Sequence, residues 1–152
     1  MMNVSSVNEL DNVDILLVED SRLDAELTMR ALKKCTFRSK VHWVQDGVDA
    51  LDFVRCTGVY EGRDVEQRPK LVLLDLKMPR LNGHDVVREL KSDSRTRPIP
   101  IVVMTSSNQS RDIAESYQLG ANGYVTKPIQ FADLAEAITH IATYWLRVNQ
   151  VP

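Results

Sequence analysis

A doubly wound α/β fold, in which a five-stranded parallel sheet lies between two helical layers as a (βα)5 three-layer sandwich, is predicted by three features of the 152 residues. Short apolar runs of strand length alternate with longer stretches of helical periodicity, five of each. Among the runs, Ile15 to Val18 is continuously apolar rather than alternating, as expected of a strand buried on both faces. Each run is separated from the next by a segment long enough for the crossover that parallel strands require. The length suits one domain able to close its own core.

The elements follow in order. In DILLVED, residues 14–20, the run Ile15 to Val18 stops at two carboxylates, the mark of a buried parallel strand. Ser21 is a candidate N-cap with Asp24 three residues on, and Leu23, Leu27, Ala31 and Leu32 fall near helical spacing. Lys40 to Val44 forms a second strand; Asp46 caps a helix with Val48, Ala50, Leu51, Phe53 and Val54 on its apolar face. Thr57 to Pro69 is polar, carries two glycines and reads as an unusually long loop. It leads to the third strand, KLVLLD. Asn82-Gly83 turns into a helix through Val86, Val87 and Leu90; PIPIVVMT is a fourth strand, Asp112 to Leu119 a fourth helix, and NGYVT a fifth strand before Lys127-Pro128. A last helix runs from about Phe131 to Val148. This order favours a flavodoxin-like topology. It divides the chain into a polar lead-in (1–13), one domain (14–148) and a short tail (149–152).

Composition excludes several classes. No run approaches the roughly 20 apolar residues of a membrane span, and the N-terminus lacks the basic and apolar regions of a secretory signal. A cytoplasmic location is the expectation. Nineteen Lys+Arg against twenty-one Asp+Glu give a net charge of −2, with no overall attraction to nucleic acid. Cys35 and Cys56 fall in predicted helices and in no ligand cluster, so they read as packed thiols.

In an open parallel sheet, ligands bind beyond the carboxyl ends of the strands. Those ends are polar here: Glu19-Asp20 after the first, Asp75 after the third, Thr105-Ser106 after the fourth, Lys127-Pro128 after the fifth. Three converging carboxylates repel one another unless a cation neutralises them, and hard oxygen donors select Mg2+ or Mn2+. Lys127 and the Thr105 hydroxyl suit a tetrahedral anion such as a phosphoryl group. Singly, Asp20 reads equally as a helix cap, Asp75 as a turn former, and Thr105 and Ser106 as caps. Together, at matching ends of separate strands, they read as a phosphoryl-transfer site.

These residues resemble the receiver domains of two-component response regulators over about Asp14 to Trp145, through LLVED, LLDLKMPRLNG, VVMTSS and GANGYVTKP. The resemblance implies that Asp75 is the phosphoacceptor and that Asp20, Asp75 and the backbone carbonyl of Lys77 ligate the metal, with Glu19 acting indirectly. It implies that Thr105 and Tyr124 form the switch, that Ser106 neighbours the phosphoryl group, and that Lys127 pairs with it. The donor would be a sensor histidine kinase and the output an unidentified downstream protein, without direct nucleic-acid or membrane binding. The 57–69 loop and the ending TYWLRV resemble the small regulators that pair with bacterial phytochromes. A haloacid-dehalogenase-type phosphohydrolase fits poorly, because it expects an aspartate where Lys77 stands. Along the last helix Phe131, Leu134, Ile138, Ile141, Trp145 and Val148 form one stripe, with Tyr144 and Leu146 off it. The prediction is a homodimer that uses Tyr144, Trp145 and Leu146.

Overall fold

The computed structural model describes residues 10–152; lead-in residues 1–9 lie outside the described part. Five strands, β1 (Ile15–Val18), β2 (Val41–Val44), β3 (Leu71–Leu74), β4 (Ile101–Thr105) and β5 (Gly123–Thr126), form one parallel sheet in the order β2-β1-β3-β4-β5. Five helices alternate with them: α1 (Arg22–Lys33), α2 (Gly47–Arg55), α3 (Gly83–Ser92), α4 (Ser110–Leu119) and α5 (Phe131–Thr143). The doubly wound expectation holds. Among the described residues, no helix is long and apolar enough to cross a membrane.

Alternation along the strands builds the two cores. Leu16, Val18, Val72, Leu74, Ile101 and Val103 face α2 and α3, where they meet Phe53, Val54, Val86 and Leu90. Ile15, Leu17, Leu71, Leu73, Val102 and Met104 face α1 and α5, where they meet Ala25, Ala31, Leu134 and Ile138. The inner strands β1, β3 and β4 are buried throughout, whereas the edges β2 and β5 are half-exposed. Fully burying each Leu, Ile or Val contributes about 1.5–3 kcal/mol.

Caps set the helix starts as predicted. Ser21, Asp46 and Asn82 each accept a bond from the backbone N–H three residues on, which satisfies one orphan donor per helix. β4 begins at Ile101 rather than Pro98, because Pro98 and Pro100 cannot donate to the ladder.

Several expectations need correction. Leu23 is 64% exposed; α1 turns its small residues Ala25, Thr28 and Ala31 to the sheet instead. The last helix is regular only to Thr143 and continues as a wider π turn over Tyr144–Val148. The wider turn shifts the facing of every later residue. Val148, placed on the inward stripe, is exposed, while Leu146, placed off it, joins Trp145 against the α1/α5 core. Both cysteines lie just past helix ends rather than within helices, and both are free thiols. The lead-in is not wholly solvated: Val13 is buried and Leu10 packs beside it.

Within the long 57–69 segment, Arg63 is buried and its guanidinium lies 3.8 Å over the Phe53 ring. It donates to the carbonyls of Phe53 and Gln67. One side chain thus closes the end of α2 and ties the loop to it, a cation–π and hydrogen-bond role that a polar composition did not suggest.

Candidate functional site

β1 lies between β2 and β3, so the order in which strands are added to the sheet reverses beside it and a crevice opens above the β1 and β3 carboxyl ends. Glu19, Asp20 and Asp75 meet there, each offering a carboxylate oxygen within 4.8 Å of the others. The indole N–H of Trp43 donates to the Glu19 carbonyl at 2.8 Å and pins the end of β1 to β2.

Each carboxylate is held differently. Asp75 is buried; its Oδ1 accepts the Leu76 N–H at 2.7 Å, and its Oδ2 accepts from Lys127 Nζ at 3.0 Å. Glu19 is buried too, with Oε1 on the Ser21 N–H at 3.1 Å and Oε2 on Lys127 Nζ at 2.9 Å. Both Glu19 oxygens are already engaged, which suits an indirect role. Asp20 is exposed and has no hydrogen bond or ion pair among the described residues. Lys77 brings its N–H within 3.5 Å of Asp75 Oδ1, while its side chain lies in solvent.

The protonation pattern follows from this packing. Burial and the neighbouring Asp75 charge push the Glu19 carboxyl up to about 7. Burial also acts to raise Asp75, but the charge and hydrogen bond of Lys127, with the nearby Thr105 hydroxyl, outweigh it and hold Asp75 below the ordinary carboxylate range. Burial opposes the charge on Lys127, yet Asp75, Glu19 and Asp24 hold its ammonium above its usual value. Packing thus favours the neutral form of Glu19 and the ionised form of Asp75.

Beyond the carboxylates, Thr105 is fully buried at the end of β4, and the Lys127 N–H donates to its carbonyl at 2.7 Å. Tyr124 is half-buried and its hydroxyl donates to the Ser107 carbonyl at 2.9 Å. Ser106 is exposed and makes no hydrogen bond among the described residues; Ser107, which sequence reasoning passed over, bonds Asp112 and ties down the loop between β4 and α4. Asp24 was also missed. It is more than a first-turn acid, since Lys127 Nζ donates to its Oδ2 at 2.9 Å. The available signal was its place at the N-terminus of the helix that rises from the acidic pair.

Gly83 fixes the loop after Asp75. Its N–H donates to the Leu76 carbonyl at 2.8 Å, and a Cβ there would sit 2.4 Å from the Asp75 carbonyl oxygen and 2.7 Å from Leu76 Cα. Backbone atoms cannot step aside as a flexible side chain can. Gly83→Ala is expected to lower unfolding stability by about 1–3 kcal/mol, read by chemical denaturation; an unchanged midpoint would mean that the loop relaxes freely.

The response regulator receiver domain family matches residues 15–139. The chain belongs to this family. It is 40% identical to the probable methanogenesis regulatory protein FilR2 of Methanothrix harundinacea, over 91% of this chain and 86% of that protein. It is 37% identical to the response regulator Rcp1 of Synechocystis, over 91% of this chain and 92% of Rcp1. The crystal structure of the phosphorylated cyanobacterial phytochrome response regulator RcpA superposes with a TM-score of 0.85 at 36% identity, covering 92% of this chain and 98% of that one. The Mn2+-bound form of Rcp1 superposes at 0.84 and 36% identity, covering 92% and 99%. As a receiver domain, the chain is a phosphoaccepting signalling switch of a two-component system, and receiver domains bind Mg2+ or Mn2+ at an acidic pocket. The Glu19, Asp20 and Asp75 oxygens fit such a hard cation.

Proposed function

We propose that Asp75 is the phosphoacceptor, and that the donor is a phosphohistidine on a sensor kinase of the phytochrome-linked kind. The observation that carries this is the Asp75 carboxylate, buried yet held ionised, with one oxygen oriented by a backbone N–H and the other by Lys127. Asp20, Asp75 and the Lys77 carbonyl would hold Mg2+ or Mn2+, with Glu19 acting indirectly; when bound, the ion neutralises charge on the transferring group. An Asp75 oxygen attacks phosphorus, the O–P bond forms as the N–P bond breaks, and the electron pair leaves with the imidazole nitrogen, which takes up a proton from water. Lys127 offers its ammonium to the phosphoryl oxygens. Thr105 and Tyr124 then serve as the switch, with Ser106 beside the phosphoryl group, and a downstream protein reads the face formed by α4, β5 and α5. A cytoplasmic setting and a domain spanning 14–148 belong to the same reading. Acetyl phosphate should label the purified protein only with Mg2+ present; equal labelling in excess chelator would refute the proposal.

The raised Glu19 carboxyl has a pH consequence. Its folded value of about 7 lies above its ordinary value of 4.5, so between these the folded state binds the extra proton. Metal-free stability should therefore rise on acidification through that window and be lost as pH climbs through about 7. A bound cation works against the same proton. Mg2+ affinity should fall from pH 8 to pH 6, by up to about tenfold per unit if one whole proton is displaced. Calorimetric titration at the two pH values checks this, and a pH-independent affinity would show Glu19 already ionised.

The homodimer also remains part of the reading, with a reduced patch. Tyr144 and Val148 are exposed on the π turn, whereas Trp145 and Leu146 largely pack on their own core. Sedimentation equilibrium of wild type and Tyr144→Ala should show a dimer weakened by the substitution. A monomer at every accessible concentration would rule it out.

A further inference from the structure

An ammonium group has three N–H donors. Lys127 spends all three on carboxylates, with Nζ at 2.9 Å from Glu19, 2.9 Å from Asp24 and 3.0 Å from Asp75. A phosphoryl oxygen that reaches this ammonium must therefore displace one of the three. Asp75 is the group being modified, so the N–H on its Oδ2 can pass to one phosphoryl oxygen, and a second phosphoryl oxygen needs a donor released by Glu19 or Asp24. Glu19 is buried, its second oxygen is fixed by the Ser21 N–H, and a released carboxylate there would be left without its counter-charge in a dry site. Asp24 differs from both. Its side chain is 41% exposed, against 4% for Glu19 and 11% for Asp75, so water can take over its solvation when Lys127 leaves.

We propose that Asp24 is a positioning residue that acts through Lys127: it holds the ammonium toward α1 in the resting state and is the partner exchanged for a phosphoryl oxygen in the modified state. This rests on the reading of Asp75 as phosphoacceptor and of Lys127 as the phosphoryl's cation. Its consequence is regulatory. Breaking the Asp24 contact opposes the phosphorylated state, so the carboxylate on α1 weakens the site's hold on a phosphoryl group and shortens the time that Lys127 guards it. A purely structural role would act otherwise. Asp24 lies in the first turn of α1, where its charge favours the helix N-terminus, and losing that contribution lowers stability without tightening any ligand.

The test uses beryllofluoride, a tetrahedral phosphoryl mimic, titrated into full-length protein with saturating Mg2+ and followed by calorimetry. Asp24→Asn is expected to tighten the mimic about threefold to tenfold, the range of a half-exposed charge pair. Asp24→Glu, which restores a carboxylate, should return toward wild type. In a Lys127→Gln background, Asp24→Asn should make no difference, because the effect passes through the ammonium. Tightening that persists in that background would reveal a general charge effect and overturn the proposal. So would unchanged or weaker binding by Asp24→Asn alone. If wild type itself failed to bind the mimic with Mg2+, the reading of the site, rather than the role of Asp24, would fall. Acetyl phosphate labelling gives a second readout: decay of label after donor removal should be slower in Asp24→Asn than in wild type, and faster decay would contradict the exchange.

Discussion

Asp75→Asn is expected to take no label from acetyl phosphate above background, at any Mg2+ concentration that saturates wild type. The substitution is nearly isosteric, and an amide oxygen at the Oδ1 position still accepts the Leu76 N–H that orients it. What disappears is the nucleophile: an ionised carboxylate oxygen attacks phosphorus, and a neutral amide does not. The packing of the site supports a clean experiment. Asp75 is buried among β3, Leu76 and the Lys127 ammonium, and its replacement adds no volume. Two electrostatic consequences oppose one another. Lys127 loses the Asp75 charge that helps to hold its ammonium protonated, while Glu19 loses a neighbour that raises its own pKa. The fold should therefore persist, as thermal unfolding would verify, and lost label would report chemistry rather than collapse. Label retained in Asp75→Asn would mean that another carboxylate, with exposed Asp20 the first to examine, is the acceptor.

How much of the fold and of the site is legible in the sequence depends on the kind of signal. Continuous apolar runs named the inner strands β1, β3 and β4, because burial on both faces leaves little choice of residue, whereas the half-exposed edges β2 and β5 were read from short strand-length segments between helical stretches. Ser21, Asp46 and Asn82 marked helix starts because a cap is a local interaction between neighbours in sequence. The site residues emerged for the related reason that parallel strands deliver their ends to one edge: knowing where Val18, Leu74, Thr105 and Thr126 stop is enough to bring Glu19, Asp20, Asp75 and Lys127 together. What stayed hidden was non-local or geometric. Nothing adjacent to Asp24 in the chain announces an ammonium 103 positions away. Arg63 reads as a solvated loop cation until Phe53 is seen beneath it. The π turn at Tyr144–Val148 has no periodic signature of its own, and by widening one turn it exchanged the roles of Leu146 and Val148. Ser107 was overlooked beside Ser106 because side-chain direction in a loop depends on backbone angles that residue type alone does not set.

Lys127→Ala should produce the largest change in stability, a loss whose size depends on pH and metal. The ammonium is mostly buried and bonds to Glu19, Asp24 and Asp75 together. Removing it leaves Asp75 and Glu19 facing each other in a dry crevice, with Asp20 at the rim. Leaving a buried charge without its partner costs about 3–5 kcal/mol, and part of that is recoverable because the cluster can bind a proton. With the cation gone, the folded carboxylates bind protons more readily than the unfolded ones. Raised folded values add stability below them and lose it as pH climbs through them. The deficit relative to wild type should accordingly be larger at pH 8 than at pH 6 in metal-free buffer. Mg2+ should narrow it, because a divalent ion neutralises the same oxygens, and the variant should bind Mg2+ more tightly than wild type once no ammonium competes for them. Urea unfolding at the two pH values, with and without Mg2+, measures all of these effects. A deficit independent of pH, or Mg2+ bound more weakly than by wild type, would show that Lys127 supports the fold by packing rather than by holding the carboxylates together.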